Sequence, residues 1–523
     1  MAGKNILLIE PGYKNKYPPL GLMKIAQYHG PSGKDDVVRF IKGEDKSVLD
    51  TSWDRIYITT LFSFEWKKIS ESIDFALKIA NNQPGKVFVG GIAASLMHES
   101  FVAETKWRGI RFIKGLLTQP PAMSLQLDSY SEELYADDIT TGAIEDLVPD
   151  YSILKHIDYV YPVRDAYFTY ASRGCIRKCT FCGVPKLEGA QRDTNSISAM
   201  VNGIENLYGA KKDLLLMDNN VVASSRFKEI IAEIRDLGFQ KGATLKRGRN
   251  NVKRRVDFNQ GVDARILCKD QMYLRELSTI CIKPLRIAFD HIGVRKPYEQ
   301  AIRYSAEVGL TALSNYMLYN FKDDPADLYQ RMRLNIDLNE ELKIRIFSFP
   351  MRYQPVTLKD RSHVGDYWNK FFLRSMQIIL QATHGIVSGS PEYFKIAFGD
   401  NEQQFENLLS MPHHFIFNRM WYEKFGGRAE LDEFQAHFSK LSESERSELM
   451  SFLSSNDKRD YRHLSKNLSS QQLRSTAHFY APLSRKEERK IWSTQKKHIS
   501  IYGAEINVPD DERVEDAGLE IAA

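Results

Sequence analysis

A chain of 523 residues, 43% hydrophobic and 27% charged, has material for roughly two to four domains with sizeable cores. Its 72 basic and 67 acidic residues leave a formal charge of +5, too slight a surplus to argue for a nucleic-acid partner by itself. No apolar run approaches the roughly 20 residues that cross a bilayer, and five cysteines cannot make a disulfide framework in so long a chain. Three of the cysteines fall within eight residues, which suggests a metal site in a reducing compartment. The start, MAGKNILLIEPGYK, has one short apolar run and no small-residue cleavage site, so a cytoplasmic location without a membrane is expected.

In chain order, Asn5–Ile9 is a continuous apolar run, the signature of a strand buried on both faces. A helical pattern begins at Gly21–Tyr28, and further strands are predicted at Asp36–Ile41, Arg55–Thr60, Val87–Val89 and Ile110–Ile113, with a helix at Trp66–Ile79. This α/β rhythm predicts a doubly wound parallel sheet over residues 1–120. Residues 121–162 lack a period and contain several prolines, as a linker does. A second series places strands at Tyr167–Ser172, Leu214–Met217, Val256–Gln260, Leu285–Phe289, Leu313–Tyr319 and Ile344–Phe349, with helices such as Ser196–Tyr208, Arg226–Leu237 and Tyr298–Val308 between them. Six such units predict a partial (β/α)6 barrel over 163–355, with its chemistry at the carboxyl ends of the strands. Residues 356–508 carry helical periods at Tyr367–Ala382, Glu402–Leu409, Glu430–Leu453 and Gln471–Phe479, and 509–523 form an acidic tail.

The most informative stretch is Ser172-Arg-Gly-Cys-Ile-Arg-Lys-Cys-Thr-Phe-Cys-Gly183. Cys175, Cys179 and Cys182 are spaced C-x3-C-x2-C on a loop directly after a predicted strand. Thiolates suit an iron–sulfur cluster, and three of them leave one iron of a [4Fe-4S] cubane open for substrate or cofactor. Gly174 and Gly183 let the backbone bend, and Arg173, Arg177 and Lys178 would offset the negative charge. A structural zinc loop is the bland alternative, but zinc wants four ligands, and no cysteine or histidine follows Cys182 within 80 residues. Cys268 and Cys281 read as buried, inert thiols.

The cysteine spacing, the aromatic Phe181 before the last cysteine and the strand-then-loop placement resemble the radical S-adenosylmethionine (SAM) superfamily. The resemblance implies that SAM chelates the open iron and is reductively cleaved to a 5′-deoxyadenosyl radical that abstracts hydrogen from a substrate. It also implies an external reductase or flavodoxin-type electron donor. Asp218, Asn219 and Asn220, after the second barrel strand, resemble in position the family segment that meets the methionyl ammonium, although the usual Gly-Gly-Glu is absent. Turn and helix-cap duty is the competing reading of these three residues. Gln260, Asp263 and Arg265 follow the third strand and are placed to hold the ribose or carboxylate. Asp290 and His291 follow the fourth, His291 being a proton-donor candidate whose commoner role is hydrogen-bonded structure.

The first sheet resembles the cobalamin-binding module found in one branch of that superfamily, through Tyr17 and Gly21 after the first strand and Gly90 and Gly91 at the end of a later one. No Asp-x-His-x-x-Gly follows the first strand, which removes the axial histidine; a scaffold that has lost cobalamin is the alternative. With cobalamin, methyl or one-carbon transfer is the implied chemistry. Lys246–Arg255 packs six basic residues into ten, the feature on which an RNA-modifying enzyme would rest, but it precedes a strand and so falls opposite the active rim. A tRNA methylthiotransferase fits less well, since no cysteine precedes Cys175 to hold a second cluster. A non-catalytic cobalamin or redox sensor is the rival outside enzymology. The position of the helical domain suggests that it closes the barrel mouth.

Overall fold

The computed structural model describes residues 3–118, 142–194, 196–383, 385–387 and 389–495. The acidic tail and the first half of the expected linker lie outside the described residues.

Five parallel strands, β1 (Asn5–Glu10), β2 (Val37–Lys42), β3 (Arg55–Thr60), β4 (Val87–Gly91) and β5 (Arg111–Phe112), form a sheet in the order 2-1-3-4-5. This is a doubly wound sheet whose order reverses at β1/β3, with the crevice at its carboxyl edge. β1 is apolar from Ile6 to Ile9 because both faces are covered: Leu7 and Ile9 pack with Ile69 and Ile73 of the helix Trp66–Ile79, while Ile6 and Leu8 join a core that continues into the rest of the molecule. The sheet is therefore docked through one face and does not hang from a loose linker. The strap from 142 reinforces this docking, since Asp150 donates its amide to the Met23 carbonyl and the Tyr151 hydroxyl bonds the Ala166 carbonyl at 2.8 Å.

The second unit has β6 (Ala166–Thr169), the short antiparallel pair β7 (Ser172–Arg173) and β8 (Arg192–Asp193), then β9 (Asp213–Leu216). The hairpin β10 (Thr244–Arg247) and β11 (Asn250–Lys253) leads into β12 (Arg255–Asp257), followed by β13 (Leu285–Arg286), β14 (Ala312–Tyr319) and β15 (Arg345–Arg352). β6, β9 and β12 pair in parallel, as do β13, β14 and β15, and parallel bridges Val256–Ile282 and Val262–Ile287 join the two groups. The result is the six-stranded arc expected from the sequence, with helices outside it. Strand alternation separates the faces: Val256, Leu285, Ile287, Leu313 and Ile346 are core residues, while Asp257, Arg286, Ser314, Tyr316 and Phe349 point to the other side.

Two predicted helices are interrupted. Glu430–Leu453 is in fact Arg428–Ser439 and Glu443–Ser455, because Ser442 and Glu445 form a capping box that starts a new helix. Arg226–Leu237 leaves regular helix at Ile234 and ends in a wide turn in which Gly238 has φ +80°.

Among the described residues, the helical domain meets the barrel at its flank. Helices Pro391–Phe398 and Glu402–Leu409 pack on the barrel's flank, against the helix Pro325–Leu342. Tyr329 sits between Phe394 and Phe405 (centroids 5.5 and 5.7 Å) and its hydroxyl donates to the Gly399 carbonyl. The segment after β15 instead reaches the first sheet, where Lys359 pairs with Glu104 at 2.7 Å and Arg361 lies over Phe64.

Candidate functional site

The cysteine loop leaves β6 and is pinned at its base before any cysteine is reached. Asp218, at the end of β9, accepts from the amides of Ala171 (3.0 Å) and Ser172 (2.5 Å) and from the Ser172 hydroxyl (2.7 Å). Burial pushes its carboxyl up to about 6 despite these donors. Asp218 thus gives three of its roughly four acceptor sites to Ala171 and Ser172 at the base of the loop. Arg173 is buried, bonded to Glu145 and Glu188 and stacked over Tyr170 at 3.3 Å. It anchors the loop base, and does not serve as the charge offset expected from sequence.

Gly174 adopts φ +77°, and a Cβ there would clash with the Ala190 carbonyl oxygen, so the residue must be glycine. Gly183 has an ordinary backbone and lies close to the first unit: a Cβ there would come 2.8 Å from the end of the Leu96 side chain, on the helix Ile92–Leu96, which would have to shift. The loop is consequently held between the first unit and the barrel. Phe181 braces it edge-to-face against Phe321, after β14, with centroids 5.7 Å apart.

Cys175, Cys179 and Cys182 are free thiols and each is half-buried. Burial raises the Cys179 and Cys182 thiols above their ordinary range; nearby Asp290 raises both further, while Arg265 draws Cys179 down. Metal binding would therefore displace protons from these thiols. Among the described residues, no three His, Cys, Asp or Glu side chains converge on the position of a single metal ion. Cysteines round a cubane each take a different iron, so the donor set fits a cluster better than one zinc.

The other expected residues divide by whether their polar atoms are already used. Asn219 donates to Glu188 at 2.8 Å, and the Asn220 side-chain oxygen accepts from the Asp263 amide at 3.4 Å. Asp263 accepts from Arg177 Nε (2.6 Å) and Arg265 Nε (2.8 Å) and caps the helix Ala264–Leu267. Those contacts hold its carboxyl below the ordinary range against the effect of burial. Asp290 differs: it makes no hydrogen bond among the described residues, and burial raises its carboxyl, with Arg331, His291 and Arg265 opposing. Gln260 and His291 are exposed.

Glu188 and Glu145 were missed in the sequence. Glu188 accepts from the Gly174 amide (2.8 Å), Asn219 and Arg173, so it ties the cysteine loop to β9; no spacing rule marks a lone glutamate for this.

The four candidate cobalamin residues have different surroundings. The Tyr17 hydroxyl donates to Asn259 of the barrel at 2.6 Å. Gly21 is exposed in the helix Leu20–His29, and Gly91 has φ +100° with Thr60 against it. Gly90 remains half-buried at the carboxyl edge beside the helix that meets Gly183. The basic hairpin lies at the amino end of the strands, where Arg247 pairs with Asp165 and Arg254 covers Phe239 at 3.7 Å and bonds main-chain carbonyls. Two of its cations therefore have structural duties.

No family model and no curated protein matches the chain. Among solved structures it is similar to the radical SAM methyltransferase TsrM from Kitasatospora setae with cobalamin and a [4Fe-4S] cluster bound, at 15% identity over 68% of this chain and 77% of that one (TM-score 0.46). It is similar also to the cobalamin-dependent SAM radical enzyme OxsB, at 13% identity over 98% and 82% of the two chains (TM-score 0.45). SuiB from Streptococcus suis matches 42% of this chain and 45% of its own at 13% identity (TM-score 0.28). At such identities and scores these likenesses add no weight of their own, and the functional reading rests on the residues of this chain. Among the described residues no helix is long and apolar enough to cross a membrane.

Proposed function

We propose that this chain is a radical SAM enzyme whose [4Fe-4S] cluster is held by Cys175, Cys179 and Cys182. The observation that carries the reading is the loop itself. Three half-buried thiols stand at the carboxyl end of a six-stranded parallel arc, on a loop fixed by Asp218 and Glu188, near a carboxylate that makes no hydrogen bond among the described residues.

With cluster and SAM bound, the site would supply one-electron reductive cleavage of SAM and, through it, hydrogen abstraction from a substrate. The chain's own contribution is positioning. Asp290 is the acceptor left for the methionyl ammonium, and Arg265 and Arg177 keep N–H groups beyond those given to Asp263, available to a carboxylate. The helix Ile92–Leu96 against Gly183 and the Phe181–Phe321 contact keep the loop in one geometry and limit water around it. An external reductase or flavodoxin-type protein supplies the electron in this reading.

A second, finer reading adds cobalamin and methyl transfer. It is favoured by the packing of the doubly wound sheet's carboxyl-edge helix directly on the cysteine loop, with Gly90 beside it. Anaerobic reconstitution with iron and sulfide tests the first reading: about four irons per chain are expected, and stoichiometric zinc in their place would contradict it. Hydroxocobalamin retained through gel filtration would support the second; its quantitative loss would confine the reading to the cluster and SAM.

A further inference from the structure

The arc encloses charged groups that none of the preceding chemistry uses. Asp257 on β12 and Arg286 on β13 form a bidentate pair, Nε and Nη2 each 2.9 Å from a carboxylate oxygen, and Arg286 reaches Ser314 on β14 at 3.3 Å. Lys16 and Tyr17 enter from the first unit on the loop after β1: Tyr17 bonds Asn259, its ring meets Phe168 edge-on at 6.2 Å, and the Lys16 carbonyl accepts from the Val163 amide. The Lys16 ammonium makes no hydrogen bond or ion pair among the described residues and lies 5.3 Å over the Tyr17 ring. Burial, and then the charge of Arg286, lowers its proton affinity, with the Asp257 carboxylate opposing.

Two cations and one carboxylate leave this enclosure a net positive charge. Placing an ammonium near a guanidinium away from bulk water is unfavourable unless an anion lies between them. Arg286 uses three of its five N–H groups on Asp257 and Ser314, so two remain. Tyr17, Tyr316 and Phe349 are half-buried, keep part of their surface open, and Tyr316 and Phe349 lie on the same side of neighbouring strands, 5.9 Å apart. A cationic end and an aromatic wall thus occur together, each with residues from both the first unit and the barrel.

We propose that this chamber is the substrate site and takes a small organic acid, its carboxylate held between Lys16 and Arg286 and its unsaturated body against Tyr17, Tyr316 and Phe349. The proposal builds on the radical SAM reading by naming the substrate class, and it makes the first sheet a contributor of binding groups, whether or not it carries cobalamin. Neutral molecules of the same shape should bind poorly, since they would leave the Lys16 ammonium without an anionic partner.

The test needs neither iron nor SAM. The full chain is titrated with 4-fluorobenzoate and, separately, with 4-fluorobenzamide, and binding is read by fluorine NMR. The acid should bind saturably and at least tenfold more tightly than the amide. Lys16→Met should abolish that preference, with Lys16→Arg retaining it and both variants keeping the parent unfolding temperature. Equal binding of acid and amide, no binding of the acid up to millimolar concentration, or a preference untouched by Lys16→Met would overturn the proposal. A protein that cleaves SAM yet gives one of those results refutes the substrate class alone; one that selects the acid but holds no cluster refutes the radical reading alone.

Discussion

Two carboxyl edges of parallel strands meet in this molecule, and their polar groups are finished in opposite ways. At the end of β1 and β2, Glu10 accepts from Lys42 (2.6 Å), from Asn15 (2.7 Å) and from the Tyr161 hydroxyl, while Lys42 also reaches the Asn15 side-chain oxygen and lies 4.5 Å over the Tyr159 ring. Every strong group there is answered by another from the chain. At the barrel edge Asp290 makes no hydrogen bond among the described residues, Lys16 reaches in from the first unit without a hydrogen bond or ion pair among them, and three thiols stand half-buried. A completed buried ion pair is scaffold, costly to break and with nothing left to give a ligand. Incomplete polar groups in a sheltered place are what a binding site must keep.

The contrast can be broken at either edge. The largest effect is expected from Gly174→Ala, which cannot keep φ +77° without striking the Ala190 carbonyl; iron content should fall to background while far-ultraviolet circular dichroism stays unchanged. A variant that still fills with iron would mean the loop is less constrained than its geometry implies. Lys42→Met strands Glu10 and should cost about 3–5 kcal/mol, read as a lower unfolding midpoint for the first unit, with iron per folded chain unaltered. Loss of iron without loss of stability would reverse the roles given to the two edges.

Asp290→Asn should weaken SAM binding about 10–100-fold, the worth of one hydrogen bond to a charged group, and leave the cluster spectrum intact. Asp218 should show itself through pH. Its carboxyl is raised from 3.8 to about 6, so between about pH 4 and about pH 6 the folded chain holds a proton that the unfolded chain has lost. Stability from this group is present below that window and is lost as pH rises through it. Asp218→Asn should flatten this part of the curve of unfolding midpoint against pH. The smallest effect belongs to the hairpin, where replacing Lys246, Arg249 and Lys253 by serine should move stability by less than about 0.5 kcal/mol per site and leave SAM cleavage unchanged.

The layout was legible where it depends on local period. The unbroken apolar run of β1, the helix Trp66–Ile79 and the six barrel strands follow from side-chain alternation and helical spacing. The cysteine loop was legible because its three donors lie in one short stretch. What stayed hidden depends on partners far apart in the chain. Tyr17 meets Asn259 across 242 positions, and Tyr161 meets Glu10 across 151, distances at which no periodicity operates. The same holds for Asp218, whose backbone partners lie 46 and 47 residues earlier, so a strand-end aspartate looked free for a ligand when it was already occupied. The break at Ser442 had a visible signal, Ser-Glu-Ser-Glu445, but the continuous 3.6-residue period on either side concealed it.

The most direct test of the central claim is the formation of 5′-deoxyadenosine by anaerobically reconstituted protein given dithionite and SAM, compared with Cys179→Ala and with Cys281→Ala. Product from the parent and from Cys281→Ala, with none above background from Cys179→Ala, is the result expected of a cluster held by the three-cysteine loop. An iron-replete parent protein that makes no 5′-deoxyadenosine, or a Cys179→Ala variant that makes as much as the parent, would contradict it.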